Sequence, residues 1–371
     1  MPPLSRADTS VIGRWWWSVD RVTLVALAVL IGIGYVLALA ATPGLSMHLT
    51  DPHTMAMLRQ ILFLALGGVV MLAMSMLSLR QVKLAALGIG IVFFFLTGFT
   101  LLHGTEVDGA NRWLSLPGFT VQPSEFLRPG FVIISAWLIA ESRRTPRFPG
   151  KRAALGLFLL TALMLRMQPD IGMTFLFTMV VLAQFYLDGL NLKWLGVSAL
   201  LVLAACVYAF FFITHVHTRV MMFWNPPPGS QAQTALSAFG NGGMFGLGPG
   251  EGQVKQYLPD ARADFVFAVA GEEFGLLFCG FIILVFAAIV IRAMVRLLAE
   301  QNLFVLLAAG GLIVGFGLQA FVNMASALSL IPTKGMTLPF VSYGGSSVLA
   351  IAIQMGFLLA LTRKRHQSDY S

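Results

Sequence analysis

The stretch 255-KQYLPDARADFVFAVAGEEFG-275 decides how this chain is read. It closes the polar segment 214–262 and leads into the apolar run Phe274–Ile291, so its carboxylates stand where the chain passes from water-compatible to lipid-compatible sequence. Asp264 is the pivotal residue. A carboxylate at that boundary, ringed by Lys255, Arg262, Glu272 and Glu273, points to chemistry on a charged lipid.

Outward from that stretch the chain is overwhelmingly apolar. Hydrophobic residues make up 57% of it and charged residues 11%, with a mean hydropathy of +0.82, which excludes an ordinary soluble domain. Ten runs read as membrane spans: Val22–Ala41, Met57–Leu77, Leu84–Leu102, Phe126–Ala140, Ala153–Leu165, Ile171–Leu187, Leu192–Ile213, Phe274–Ile291, Leu303–Leu328 and Ser347–Leu361. The fifth is short. It is kept because dropping it would turn the basic clusters at 292–296 and 363–365 outward, whereas ten spans leave sixteen of the 24 Lys and Arg residues on the cytoplasmic side.

The expected fold is therefore an all-α polytopic membrane protein of about ten transmembrane helices, with both termini cytoplasmic and a large extracytoplasmic loop between helices 7 and 8. Residues 1–21 and 363–371 form cytoplasmic tails, and 22–362 form one membrane domain that includes the loop 214–264. That loop has its own aromatic residues, Trp224, Phe239 and Phe245, and room for a short helix over Gln233–Phe239, so it reads as a structured cap.

Several other readings are set aside. The net charge of +8 follows from insertion topology and contact with anionic membrane lipid, and no nucleic-acid motif accompanies it. Cys206 and Cys279 lie inside apolar runs and read as small buried hydrophobes, so no disulfide framework is expected. The first apolar run is long enough to remain as a span, so no cleavable signal peptide is expected. His215 and His217 are two apart and lack a carboxylate at helical ligand spacing, which argues against zinc. The two halves of the chain are unlike, which argues mildly against an inverted-repeat transporter.

The chemically unusual residues gather on one predicted side, in 106-EVDGANRWLSLPGFTVQPSEFLR-128, 166-RMQPDIG-172, the 214–264 cap and 331-IPTKGMTLPFVSYGGSS-347. Glu125 and Arg128 are three apart and share a helical face, where they either neutralise each other or offer Arg128 to a phosphate. Asp170 is placed to cap the sixth helix. Gly335, Pro339, Gly344 and Gly345 permit tight backbone geometry before the last span, with Ser346 and Ser347 as caps and a weak signal for anion binding. A helical Asp264 would stand about 12 Å along the axis from Glu272, too far to share a proton as an aspartic-protease pair does.

GANRWL (109–114), QPSE (122–125), QPDIG (168–172), GGMFGLG (242–248), YLPDARADFVFAVAGEEFG (257–275) and the 331–347 segment together resemble one family, the SEDS proteins (shape, elongation, division and sporulation), over residues 20 to 362. Thr333 and Lys334 make the chain more like the division type than the elongation type, which usually has valine and threonine there. It departs from the family at Arg128, where lysine is usual, at Met173, where threonine is usual, and at Arg262-Ala263, where histidine precedes serine or threonine.

The resemblance implies a peptidoglycan glycosyltransferase that polymerises lipid II, with Asp264 matching the family's essential aspartate. Direct displacement at an anomeric carbon needs a base for the incoming hydroxyl and charge neutralisation for the leaving pyrophosphate. Asp264 is the candidate base. Arg112, Arg128, Lys255 and Lys334 are candidates to steady pyrophosphate, Glu125 to orient Arg128, and Ser342 and Gly344 to contact substrate. Trp113, Asp170, Glu272 and Glu273 are candidate supports.

A divalent cation, Mg²⁺ or Mn²⁺ held mainly by substrate phosphates, is the one cofactor left open. The implied partners are lipid II, the growing glycan strand, a class B penicillin-binding protein (an FtsI-type transpeptidase) and other division proteins, at the septum of the bacterial cytoplasmic (inner) membrane. The rival readings are a lipid II flippase, an elongation-type polymerase and a recruiting scaffold. A transporter would need polar residues through both leaflets, and here they collect at one surface.

Overall fold

The computed structural model describes residues 10–40, 52–107, 110–116, 119–227, 229–258, 260–332 and 335–364. Their helices in chain order are α1 (Val11–Ser18), α2 (Arg21–Ala40), α3 (Pro52–Ser75), α4 (Leu79–His103), α5 (Pro123–Arg144), α6 (Gly150–Met167) and α7 (Ile171–Leu187). The second half adds α8 (Leu192–Phe212), α9 (Thr214–Trp224), α10 (Gln231–Gly242), α11 (Val266–Leu297), α12 (Leu303–Ala327) and α13 (Gly345–Leu361), with a 3-10 turn at Val254–Tyr257. The protein is thus a polytopic helical membrane protein. Among the described residues, five helices, α2, α3, α4, α11 and α12, are long and apolar enough to cross a bilayer by themselves, and α7 and α13 are shorter apolar helices.

Burial separates the helices into layers. In α12, 72% of the apolar window is buried, against 22–33% in the other four long helices, so α12 is the central post and the others turn much of their surface outward to lipid. It packs on α5, α7, α11 and α13, while α3 lies along α13 and α4 along α5. None of the described side chains of α8 is buried, and α8 touches chiefly α9 and, less extensively, α7.

One face of the bundle is closed by polar clamps. Asp20 accepts hydrogen bonds from Thr23 (2.8 Å) and Arg292 (3.2 Å) and ion-pairs with Arg296 (3.1 Å), tying the start of α2 to the end of α11. The Trp15 indole donates to Ser75 (2.9 Å), and Arg363 donates to Ser18 (2.9 Å).

Residues 105–121 differ from the all-helical expectation. They form a three-stranded antiparallel sheet, β1 (Thr105–Val107), β2 (Ala110–Leu116) and β3 (Phe119–Val121), with Val107 paired to Ala110 and Leu116 to Phe119. The Asp-Gly and Pro-Gly sequences between these pairs are strong short-turn signals, and they favour pairing of the flanking residues.

The segment around the opening stretch also departs from a simple span. Helical structure begins at Val266, well before the apolar run, and breaks at Gly275 (φ 83°, ψ 175°). An unbroken helix would bond the Leu276 and Leu277 amides to the Glu272 and Glu273 carbonyls. At the break those four groups turn to the loop after α10. Leu276 donates to the Gly243 carbonyl (2.9 Å) and Leu277 to the Met244 carbonyl (3.3 Å), while Leu247 and Gly248 donate to the Glu272 and Glu273 carbonyls (3.0 Å each). These four backbone groups, which the kink takes out of the helix, are thereby paired again, as a bilayer demands.

Candidate active site

A cavity of about 500 Å³ opens between α3, α5, α7, α12, the sheet and the loop leading into α13. Its charged wall consists of Arg59, Glu125, Arg128, Asp170 and Asp264, drawn from segments far apart in sequence. Trp113, Phe63 and Phe119 supply aromatic surface, and Gly344, Gly345, Ser346 and Ser347 bring the start of α13 to its edge.

Asp264 ends the turn before α11. The N-cap position belongs to Phe265, so Asp264 stands ahead of the helix and is neither its cap nor helical. Its amide donates to the Asp260 carbonyl (3.0 Å), its own carbonyl accepts from Asn323 (3.0 Å), and Gly335 leaves space beside its carboxylate. The loop into α13 is stitched around it: Ser342 donates to the Ala263 carbonyl (2.5 Å), and the Tyr343 amide donates to the Arg262 carbonyl (2.8 Å). Ser342 therefore acts on the backbone beside Asp264 and does not line the cavity.

Arg128 and Glu125 are both on the wall, with different partners. The buried Arg128 guanidinium donates to the side-chain carbonyls of Gln319 (2.6 Å) and Gln354 (3.1 Å), whereas Glu125 accepts from Ser346 (2.7 Å). Ser347 bonds Thr337 (2.5 Å), so these two serines reach across the cavity rim instead of capping α13. Arg59, one helical turn before Phe63 on α3, is exposed on the wall and has no hydrogen bond or ion pair among the described residues. Sequence reasoning passed over it, although a lone arginine inside an apolar run is itself a signal.

Arg112 does not line the cavity. It donates to the carbonyls of Gln168 (3.2 Å) and Pro169 (2.8 Å) and approaches Asp170 to 3.9 Å, pinning the sheet to the α6–α7 turn. Asp170 caps α7 through the Met173 amide (3.1 Å) and also accepts from Gln122 (3.1 Å). Lys334 lies outside the described residues.

Lys255, Glu272 and Glu273 lie away from the cavity. Lys255 is buried, with its ammonium on the Glu273 carboxylate and the Ala40 carbonyl (2.9 Å). Glu272 accepts the backbone amides of Gln253 (2.8 Å), Val254 (2.7 Å) and Lys255 (3.0 Å), so it caps the 3-10 turn. The structure gives Lys255 a partner inside the protein where the sequence suggested a pyrophosphate contact. Among the described residues no three His, Cys, Asp or Glu side chains converge to hold a metal ion by themselves, and no step below runs through one.

Residues 21–367 match the family profile described as cell cycle protein, which joins FtsW, RodA and SpoVE. The chain is 39% identical over 369 residues to the probable peptidoglycan glycosyltransferase FtsW of Caulobacter vibrioides (strain NA1000 / CB15N), covering 97% of this chain and 93% of that protein. Against the protein of the same name from Alkalilimnicola ehrlichii (strain ATCC BAA-1101 / DSM 17681 / MLHE-1) the identity is 34% over 363 residues, covering 94% and 90%. Its fold is similar to a chain from the structural coordination of polymerization and crosslinking by a peptidoglycan synthase complex, with TM-score 0.76, 26% identity and coverage of 94% and 98%. It is also similar to the rod shape determining protein RodA of Thermus thermophilus, with TM-score 0.68, 25% identity and coverage of 94% and 97%.

Proposed function

This chain belongs to the FtsW/RodA/SpoVE family of cell cycle proteins, and from that premise we propose that it is a septal peptidoglycan glycosyltransferase that polymerises lipid II at the wall cavity of Asp264. The observation that carries the reading is the convergence of one carboxylate-bearing turn with Arg59 and Arg128 in a cavity of about 500 Å³, a size suited to a substrate head group.

In this reading the 4-hydroxyl of one disaccharide attacks the anomeric carbon of a sugar chain carried on undecaprenyl pyrophosphate. The new carbon–oxygen bond forms as the bond to pyrophosphate breaks, and the leaving group takes the electron pair. Asp264 accepts the hydroxyl proton, while Arg128 and Arg59 bind the pyrophosphate before and during its departure. Arg112 acts behind this centre by holding the turn that carries Asp170, and Lys255, Glu272 and Glu273 hold the segment that leads to Asp264. The partner of this reading is a class B penicillin-binding protein of the FtsI type. The similarity to a chain of a peptidoglycan synthase complex supports such a partner, and the FtsW-named relatives support the septum as its place of action.

A flippase is the weaker alternative. Gln184 and Gln354, which do not line the cavity, are engaged with neighbouring helices, and Phe131, Phe177 and Phe316 are fully buried, so packed interior stands where a transport path would run. The deciding experiment supplies labelled lipid II to the purified chain, with its transpeptidase partner, in detergent and in vesicles. Glycan polymer in detergent is expected; movement of lipid II between leaflets with no polymer in either setting would overturn the reading.

A further inference from the structure

We propose that one turn of α12 sets the spacing of the cavity's cation and carboxylate, with Gln319 the positioning residue for Arg128 and Asn323 the positioning residue for Asp264. The inference rests on the reading of this cavity as the transfer centre. Gln319 and Asn323 are four apart and so share one helical face, on the most deeply buried of the long helices.

Each amide is held by more than one hydrogen bond. Gln319 accepts from Arg128 Nη1 at 2.6 Å while its NH₂ donates to the Thr337 carbonyl (2.8 Å) and hydroxyl (3.2 Å). Asn323 donates to the Asp264 carbonyl (3.0 Å) and to the Met336 carbonyl (2.6 Å). Met336 and Thr337 are adjacent, so the loop that frames the cavity is fastened to both amides at consecutive residues. The carbonyl oxygen of Asn323 is buried with no partner among the described residues. That arrangement carries a desolvation cost which an apolar side chain would avoid, so the donor contacts are what Asn323 contributes.

The chemistry of the two amides differs in a useful way. Arg128 is held by Gln319 and by Gln354, whose own NH₂ donates to the Leu312 carbonyl (2.8 Å). Both acceptors are neutral. They orient the guanidinium without cancelling its charge, and an arginine has five N–H donors, more than these two contacts use. A carboxylate in either place would orient it equally well and neutralise it. Asn323 touches only the backbone of Asp264, so it governs where the carboxylate stands and not the charge opposite it.

Two substitutions on the same helical face should therefore split the kinetics in opposite ways. Gln319→Glu in the full-length chain, which neutralises Arg128 and also loses the bond to the Thr337 carbonyl, should raise KM for lipid II about tenfold and lower kcat by no more than about threefold, since the weakened anion contact outweighs the one lost loop bond. Asn323→Asp, which sets a carboxylate against two carbonyl oxygens, should lower kcat about a hundredfold with KM little changed, as expected for a misplaced base. Gln354→Glu and Ser342→Ala are the second pair, with the same respective signs, should either first variant fail to fold by thermal melting.

Binding of undecaprenyl pyrophosphate reads the cation side without turnover: about tenfold weaker in Gln319→Glu and unchanged in Asn323→Asp. Equal losses of kcat, KM and binding in both variants would mean that α12 only maintains the fold and would overturn the proposal. A wild-type chain that makes no polymer would overturn the functional reading instead, and the binding comparison would still decide for or against the α12 spacing.

Discussion

Replacing Lys255 by Met tests whether this lysine serves the fold or the ligand. The Lys255 side chain is 4% exposed and that of Glu273 is fully buried, and the two form an ion pair beside the Ala40 carbonyl. Methionine keeps the length of the chain and removes the charge, which strands the Glu273 carboxylate away from water. Breaking a buried pair in this way costs about 3–5 kcal/mol. Losing the bond to Ala40 adds about 1 kcal/mol. Adding Glu273→Gln removes the stranded charge, so the double variant should recover to within about 1–2 kcal/mol of wild type, about 2–5 kcal/mol more stable than Lys255→Met alone. Unfolding in detergent micelles by heat or denaturant, run on wild type, both singles and the double, measures this directly. KM for lipid II is recorded beside it and should stay within about threefold for whatever fraction remains folded. A Lys255→Met chain that melts with wild type while its KM rises tenfold or more would refute the reasoning and return Lys255 to the ligand.

Three further outcomes follow from named contacts. Arg59→Ala should raise KM for lipid II about tenfold and leave the melting temperature alone, because Arg59 has no ion pair among the described residues; an unchanged KM would remove it from the anion site. Asp20 carries a pH dependence. Burial raises its pKa, but hydrogen bonds from Arg292 and Thr23 and the charges of Arg296 and Arg292 outweigh it and hold the carboxyl below its ordinary value. Its stabilisation is therefore present above the unfolded value of about 3.9 and fades as pH falls through the lower folded value. Wild type should lose melting temperature on acidification below about pH 4 more steeply than Asp20→Asn, and parallel curves would contradict the clamp. Gly246→Ala should destabilise by about 1–3 kcal/mol or more, since a methyl there would overlap the Glu273 carbonyl at a φ of +83°; an unshifted melting curve would show that the repaired kink tolerates it.

The helices were legible because lipid-compatible runs leave a strong compositional trace: a helix carries each of the apolar runs, and α7 has the bounds Ile171–Leu187 read from sequence. The Asp170 cap was legible from its place just before Ile171. The sheet strands within 105–121 were missed because the seven-residue central strand alternates weakly and lies among polar turn residues, although Asp-Gly and Pro-Gly stand between the strands in the sequence. The break at Gly275 hid as a lone glycine beside an apolar run, since its cause is a loop some thirty residues earlier that accepts and donates the freed bonds. Glu125 and Arg128 were readable as a local pair, but Ser346, Gln319 and Gln354, which take their polar contacts, come from distant helices. Lys255 looked like an available cation because nothing local to it reveals that Glu273 folds back onto it.

Lipid II polymerisation by Asp264→Asn beside wild type, with both chains shown to melt alike, tests the central claim most directly. The exchange keeps the side-chain shape and removes the base, so polymer should form with wild type and fall by a factor of about 10²–10⁴ with the variant. Polymer at the wild-type rate from Asp264→Asn would contradict the account and place the proton acceptor elsewhere.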